Sequence, residues 1–136
     1  MKIKLLTGGI TPTKGSEFSA GFDVYSPNNF TLFANEALRI PLGIAIEILE
    51  DEVAIMSERS SQGKKGITSI GNIIDADYRG EISIVLQNTN KLEQSFKIGD
   101  KIGQIVVVKL GNRDIEVVEE LSITDRGESG FGSSGR

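Results

Sequence analysis

Residues 66–88 read GITSIGNIIDADYRGEISIVLQN, two apolar runs rich in β-branched side chains on either side of a short polar stretch. The runs, residues 66–74 and 81–88, suit a pleated, half-buried surface and are expected to pair as the arms of a hairpin. Between them Asp75, Asp77, Tyr78 and Arg79 crowd into a turn. A hairpin tip presents backbone donors and acceptors beside its side chains, so a flat base can be read there and a carboxylate is at hand for chemistry. Asp-x-Asp is also an ordinary turn former, because an Asp side chain bonds its own backbone two residues on. This stretch alone leaves both readings open.

Outward from the hairpin, short strand-like segments recur between turn signals. Strands are expected at residues 2–6, 22–25, 29–33, 37–40, 44–49, 53–57, 95–98, 101–110 and 115–119, with a single helical turn within residues 60–65. Punctuated by 16 glycines, this is the pattern of an all-β barrel or sandwich whose strands turn corners often. Residues 102–109, IGQIVVVK, are nearly continuous in apolar side chains, as expected of a strand covered on both faces. Gln104 interrupts them. It either finds a hydrogen-bonding partner inside or lies on the solvent face of an edge strand.

The chain has 136 residues, 38% hydrophobic and 25% charged, which suits one globular domain burying about two-thirds of its unfolded surface. The formal net charge of -4 disfavours a nucleic-acid polymer or an anionic membrane as main partner, since both reward a basic surface. With no histidine, cysteine or tryptophan, disulfides, thiolate nucleophiles, zinc sites built on His or Cys, and any Ser-His-Asp relay are excluded. Catalysis must draw on carboxylates, hydroxyls, Lys, Arg, Tyr or an oxygen-bound hard cation such as magnesium. Residues 1–6 alternate lysine with apolar side chains, which reads as a first strand and not a signal peptide. No stretch approaches the roughly 18 apolar residues of a membrane span. The expected location is the cytoplasm, or the nucleus of a eukaryotic host.

Three further segments have chemical potential. Residues 57–66, SERSSQGKKG, place Arg59 beside Ser60 and Ser61 at a strand end, where guanidinium and hydroxyl groups can hold phosphate oxygens. The spacing is not that of a Walker loop. Residues 126–136, RGESGFGSSGR, cannot build a core and read either as a disordered tail or as a lid. In the second case Arg126 supplies charge, Ser133 and Ser134 donate hydroxyls, Gly132 gives backbone access, and Phe131 offers a face for stacking. In AGFDVY, residues 20–25, Asp23 is a single acid within an apolar strand.

Taken in order, AGFDVY at 20–25, ERSS at 58–61, NIIDADYRGE at 72–81, IGDKIGQIVV at 98–107 and RGESGFGSSG at 126–135 resemble the five motifs of the trimeric dUTP pyrophosphatase (dUTPase) family. The resemblance implies a distorted jelly-roll β-barrel of the β-clip type over residues 1–125. It implies that residues 126–136 are a flexible tail that closes over the site. It implies a homotrimer with active sites shared between subunits, and magnesium-assisted hydrolysis of dUTP to dUMP and pyrophosphate. By the same resemblance Asp75 is the catalytic carboxylate that orients the attacking water, and Tyr78 packs on the deoxyribose. Asn72, Ile73 and Ser83 line the uracil site. Arg59, Ser60, Ser61, Gln104, Arg126 and Ser133 contact phosphates, Phe131 stacks on the base and Gly132 lies against it. Asp23 touches magnesium only through water.

Three positions depart from the motifs, one of them Glu128 in the fifth, which brings an acid close to the triphosphate. Asn72 stands where many relatives have glycine, and Glu58 stands where the second motif usually has proline. Glu58 is expected to turn away from the phosphate site, toward Arg79 or Lys64. Two alternatives accompany the main reading. One is a nucleotide-binding regulatory trimer without turnover; the other is a dCTP deaminase on the same fold, which typically carries a catalytic glutamate in place of the IDADY turn and uses a tryptophan absent here.

Overall fold

The computed structural model describes residues 1–111 and 114–128. Eleven strands and one helical turn follow in order: β1 (Lys2–Leu5), β2 (Phe22–Tyr25), β3 (Phe30–Leu32), β4 (Ala37–Pro41), β5 (Ile44–Glu47), β6 (Glu52–Ser57), α1 (Ser60–Gly63), β7 (Ile67–Ile70), β8 (Ile73–Ile74), β9 (Ser83–Asn88), β10 (Gln94–Phe96) and β11 (Lys101–Lys109). Every strand pairing is antiparallel. The expected all-β architecture is therefore the observed one, a distorted barrel of jelly-roll type. No described helix is long and apolar enough to cross a membrane.

The barrel is built from small sheets, ordered β1-β5, β10-β3, β2-β11-β6-β8 and β4-β9-β7. Their inward faces meet in one apolar cluster that includes Val24, Leu32, Ile44, Met56, Ile84 and Ile105. Alternation sets this up: β9 reads half-buried and buried by turns, and its buried members Ile84 and Leu86 have no exposed surface. Truncating such a residue to alanine typically costs about 2–5 kcal/mol. Phe30 and Phe96 stack at 4.7 Å between centroids where β3 pairs with β10. Asn88, fully buried at the end of β9, donates through Nδ2 to the carbonyls of Leu32 and Leu92, so its polar head is satisfied.

Two expected features differ. Residues 66–74 and 81–88 pair only in part: β7 lies against β9 from Ile67↔Asn88 to Ile70↔Val85, but β8 leaves to pair with β6. Gly71, at φ 65, turns the chain out of the hairpin there, a conformation glycine adopts without steric cost. Residues 115–119 are not a strand. Ile115 and Val117 are more than nine-tenths exposed, because no described strand lies beside them to receive their backbone hydrogen bonds.

β11 is an interior strand, held between β2 and β6, as its apolar run foretold. Gln104 sits on it with a partner, donating from Nε2 to the carbonyl of Glu58 at 3.2 Å. Space for its amide comes from Gly21, where a Cβ would lie 2.8 Å from Gln104 Oε1.

Candidate active site

The departure of β8 from β9 opens a cleft of about 270 Å³, lined by Arg39, Ile73, Ile74, Asp75, Tyr78 and Ser83 among others. At its root the carbonyl of Asn72 accepts from the N–H of Met56 at 2.8 Å, which fastens the diverging arm to β6. The Asn72 side chain turns back, donating from Nδ2 to the carbonyl of Ser69 at 3.2 Å. Ser83 Oγ accepts from Arg39 Nε at 3.0 Å. Arg39 pairs with Val85 and Pro41 with Ser83, so Arg39 and Ser83 are diagonal neighbours on one face of the sheet. That register places a cation in the cleft that motif reading had missed.

At the mouth of the cleft, the N–H of Tyr78 donates to the carbonyl of Asp75 at 3.1 Å and closes a turn. Tyr78 is 46% exposed and its hydroxyl donates to the carbonyl of Glu81 at 3.1 Å. Arg79 Nη1 donates to the carbonyls of Ala76 and Tyr78, so this guanidinium braces the turn from within. Asp75 is exposed and makes no side-chain hydrogen bond or ion pair among the described residues. It borders both the cleft and a second hollow of about 600 Å³ lined by Glu50, Glu52, Asp77 and Arg79 among others. An unspent carboxylate held on a braced turn is suited to placing a water molecule.

The second candidate region lies across β2, β11 and β6. Asp23 pairs with Gln104 and Gln104 with Ser57, which sets the three side chains on one face of the sheet. Just beyond Ser57, Arg59 engages Asp23 Oδ1 through Nε at 2.9 Å, and Lys101 Nζ meets Asp23 Oδ2 at 2.8 Å. Asp23 is 8% exposed; two cations compensate the burial of its charge. Lys101, unforeseen from sequence, thus orients the site together with Arg59. Ser60 and Ser61 open α1 and are exposed. A hollow of about 410 Å³ beside them is lined by Arg59, Gln62, Lys65 and Lys101 among others, a cationic surface suited to phosphate oxygens.

Among the described residues no cluster of three or more carboxylates could hold a metal ion. A magnesium ion, a hard cation that keeps several of its waters, would fit these residues only through such a water. Each oxygen of Asp23 is engaged by one cation and keeps lone-pair capacity for a water molecule, so a contact through water is compatible with the donor set.

Arg126 is exposed and belongs to the described chain, whereas Phe131, Gly132 and Ser133 lie outside the described residues. The hairpin residues Ile73, Asp75, Tyr78 and Ser83 share one cleft, while Arg59 lines another.

The profile of the dUTPase family matches residues 8–135. The chain belongs to the dUTPase family. It is 40% identical to the deoxyuridine 5'-triphosphate nucleotidohydrolase of Candida albicans, over 94% of this chain and 82% of that protein. It is 36% identical to the enzyme of the same name from Paramecium bursaria Chlorella virus 1, over 97% and 94%. Among solved structures, a variant of the dUTPase of Staphylococcus bacteriophage 80alpha with dUpNHpp superposes with a TM-score of 0.92 at 25% identity, covering 99% of this chain and 98% of that one. These dUTPase relatives span nearly the whole chain, so the fold and both candidate regions fall within the shared part.

Proposed function

We propose that this protein hydrolyses dUTP to dUMP and pyrophosphate by attack of water on the α-phosphorus, limiting uracil incorporation into DNA and supplying dUMP. The observation that carries the reading is Asp75, exposed, without a side-chain partner among the described residues and set on a turn at the mouth of the β8–β9 cleft, in a chain of the dUTPase family. Asp75 holds the water and accepts its proton. Placement contributes most, because a carboxylate is a weak base at neutral pH.

Uracil enters between the arms, against the backbone of Asn72 and Ile73 and against Ser83. A narrow slot with fixed polar groups rejects wrong bases by steric conflict and by leaving those groups unpaired. The Tyr78 ring packs on the deoxyribose and leaves no room for a 2'-hydroxyl. Arg59, Ser60, Ser61 and Gln104 hold the phosphates, with Arg126 and Ser133 closing on the far end, Phe131 over the base and Gly132 beside it. Residues 1–125 form the barrel and residues 126–136 the closing tail. Magnesium bound with the triphosphate would supply charge neutralisation for the leaving pyrophosphate, and Asp23 would hold it through water.

The working unit in this reading is a homotrimer. Two observations support it: the base cleft and the cationic hollow are separate in one chain, and Ile115, Val117, Leu121 and Ile123 stand exposed along an arm outside any described strand. A neighbouring copy that pairs with this arm buries those side chains and brings the phosphate-binding residues of one subunit to the hairpin of another.

Pyrophosphate release from dUTP with magnesium, run in parallel with UTP, dTTP, dCTP and an EDTA control, tests the activity. Release from dUTP alone is expected. Ammonia from dCTP would instead indicate a deaminase, and saturable dUTP binding without product would indicate a regulatory trimer.

A further inference from the structure

Glu58 is the residue at which the candidate phosphate segment meets the hairpin. It follows the last residue of β6 and precedes Arg59, whose backbone caps α1 without a side-chain hydrogen bond. Its side chain points neither to Arg79 nor to Lys64, as the sequence suggested, but to Ser69 on β7. The two residues bond reciprocally. Ser69 donates to Glu58 Oε2 from its N–H at 3.1 Å and from its hydroxyl at 2.7 Å, and the N–H of Glu58 donates to Ser69 Oγ at 3.1 Å. Ser69 is 7% exposed, so its N–H has little access to water as an alternative partner. The carbonyl of Glu58 also accepts from Gln104 Nε2, and the carbonyl of Ser69 from Asn72 Nδ2. One chain of hydrogen bonds thus runs from Gln104 on β11, through Glu58 and Ser69, to Asn72 at the root of the base cleft.

We propose that Glu58 is a positioning residue, which fixes the Arg59–Ser61 segment and the Gln104 amide relative to β7 and so sets how tightly the triphosphate is held. The proposal rests on the dUTP reading above. A carboxylate accepting two donors is a strong link, and an unpaired buried N–H would remain if it were removed. Two strands of different sheets meet at this junction: β7 leads into the arm that reads the base, and β6 leads into the phosphate segment. Loss of the link lets the second drift relative to the first. Small misplacements of binding groups have large kinetic effects.

The test measures KM for dUTP, and inhibition by deoxyuridine, in the wild-type protein and in Glu58→Ala, Glu58→Gln and Ser69→Ala. Deoxyuridine carries no phosphate and reports the base cleft alone. Glu58→Ala is expected to raise KM for dUTP about tenfold, with deoxyuridine inhibition unchanged. Glu58→Gln retains an acceptor for the Ser69 N–H and should restore KM to within about threefold. Glu58→Ala combined with Ser69→Ala should be no worse than Glu58→Ala alone, because the Ser69 hydroxyl acts through the Glu58 link. A merely lower folded fraction would reduce kcat and leave KM untouched. An unchanged KM in Glu58→Ala, or parallel weakening of dUTP and deoxyuridine, would overturn the positioning role while leaving the dUTP reading intact. A folded wild-type protein that releases no pyrophosphate from dUTP would overturn that reading and this proposal with it.

Discussion

The ring of Tyr78 lies where a Cβ on Gly80 would have to be: an alanine methyl there would overlap Tyr78 Oη and Cζ. The missing side chain at Gly80 therefore lets the phenol fold over the turn and reach the carbonyl of Glu81. Gly80→Ala is expected to push the ring off this seat while leaving the barrel, whose core lies elsewhere, folded. If Tyr78 rejects the ribose 2'-hydroxyl, the variant should lose about tenfold in the ratio of kcat/KM for dUTP over UTP. An unchanged ratio would show that sugar selection does not depend on this contact.

The Asp75 side chain has no described hydrogen-bond or ion-pair partner to lose, so Asp75→Asn removes charge and basicity with little structural cost. Turnover of dUTP should fall by about 10²–10⁴-fold, the range typical of removing a general base. Binding of a non-hydrolysable dUTP analogue, followed by calorimetry, should stay within about threefold of wild type. Retained turnover would take Asp75 out of the base role.

Legibility from sequence divided along a physical line. β-Branched runs and glycine spacing announced an all-β chain, and the apolar run around Gln104 announced an interior strand, because burial on both faces dictates composition directly. The opening between β8 and β9 was not legible: residues 66–74 look like one arm, and only the choice of β6 over β9 as partner for Ile73 and Ile74 creates the cleft. Pairing between distant strands also hid Lys101 beside Asp23, Arg39 beside Ser83, and Ser69 beneath Glu58. Each pair depends on register, which local patterning does not encode. The strand expected at residues 115–119 had the right alternation but lacks a described partner, and a strand exists only when something pairs with it. Phe131, Gly132 and Ser133 stand on motif resemblance alone.

The Glu58–Ser69 link also predicts a pH dependence of stability. The Ser69 hydroxyl bond, followed by backbone hydrogen bonds, holds the Glu58 carboxyl below its ordinary value of 4.5 in the folded chain, against a smaller opposing effect of burial. A depressed folded pKa means that protonation favours the unfolded state. The contribution is complete above the unfolded value and is lost as pH falls from about 4.5 through the lower folded one. Urea melts at successive pH values should therefore show a shallower acid limb for Glu58→Gln than for wild type, with parallel curves above that window. Identical acid limbs would mean that the carboxylate link contributes nothing to folding.

The tail and the exposed arm separate in a truncation experiment. Among the described residues, the buried apolar core ends at Ile105, so removing everything from Arg126 onward takes away no described core packing. That shortened chain should melt within a few degrees of the full one and keep its oligomeric mass, while turnover of dUTP falls about a hundredfold, as when one well-aimed donor to a developing charge is lost. Ile115→Asp with Val117→Asp should do the opposite. A charge on each of these exposed apolar positions leaves the single barrel intact but disfavours burial against a second copy, so light scattering should report a smaller particle. Full activity in the truncated chain would remove the tail from the site, and an unchanged mass in the arm variant would remove the arm from the trimer contact.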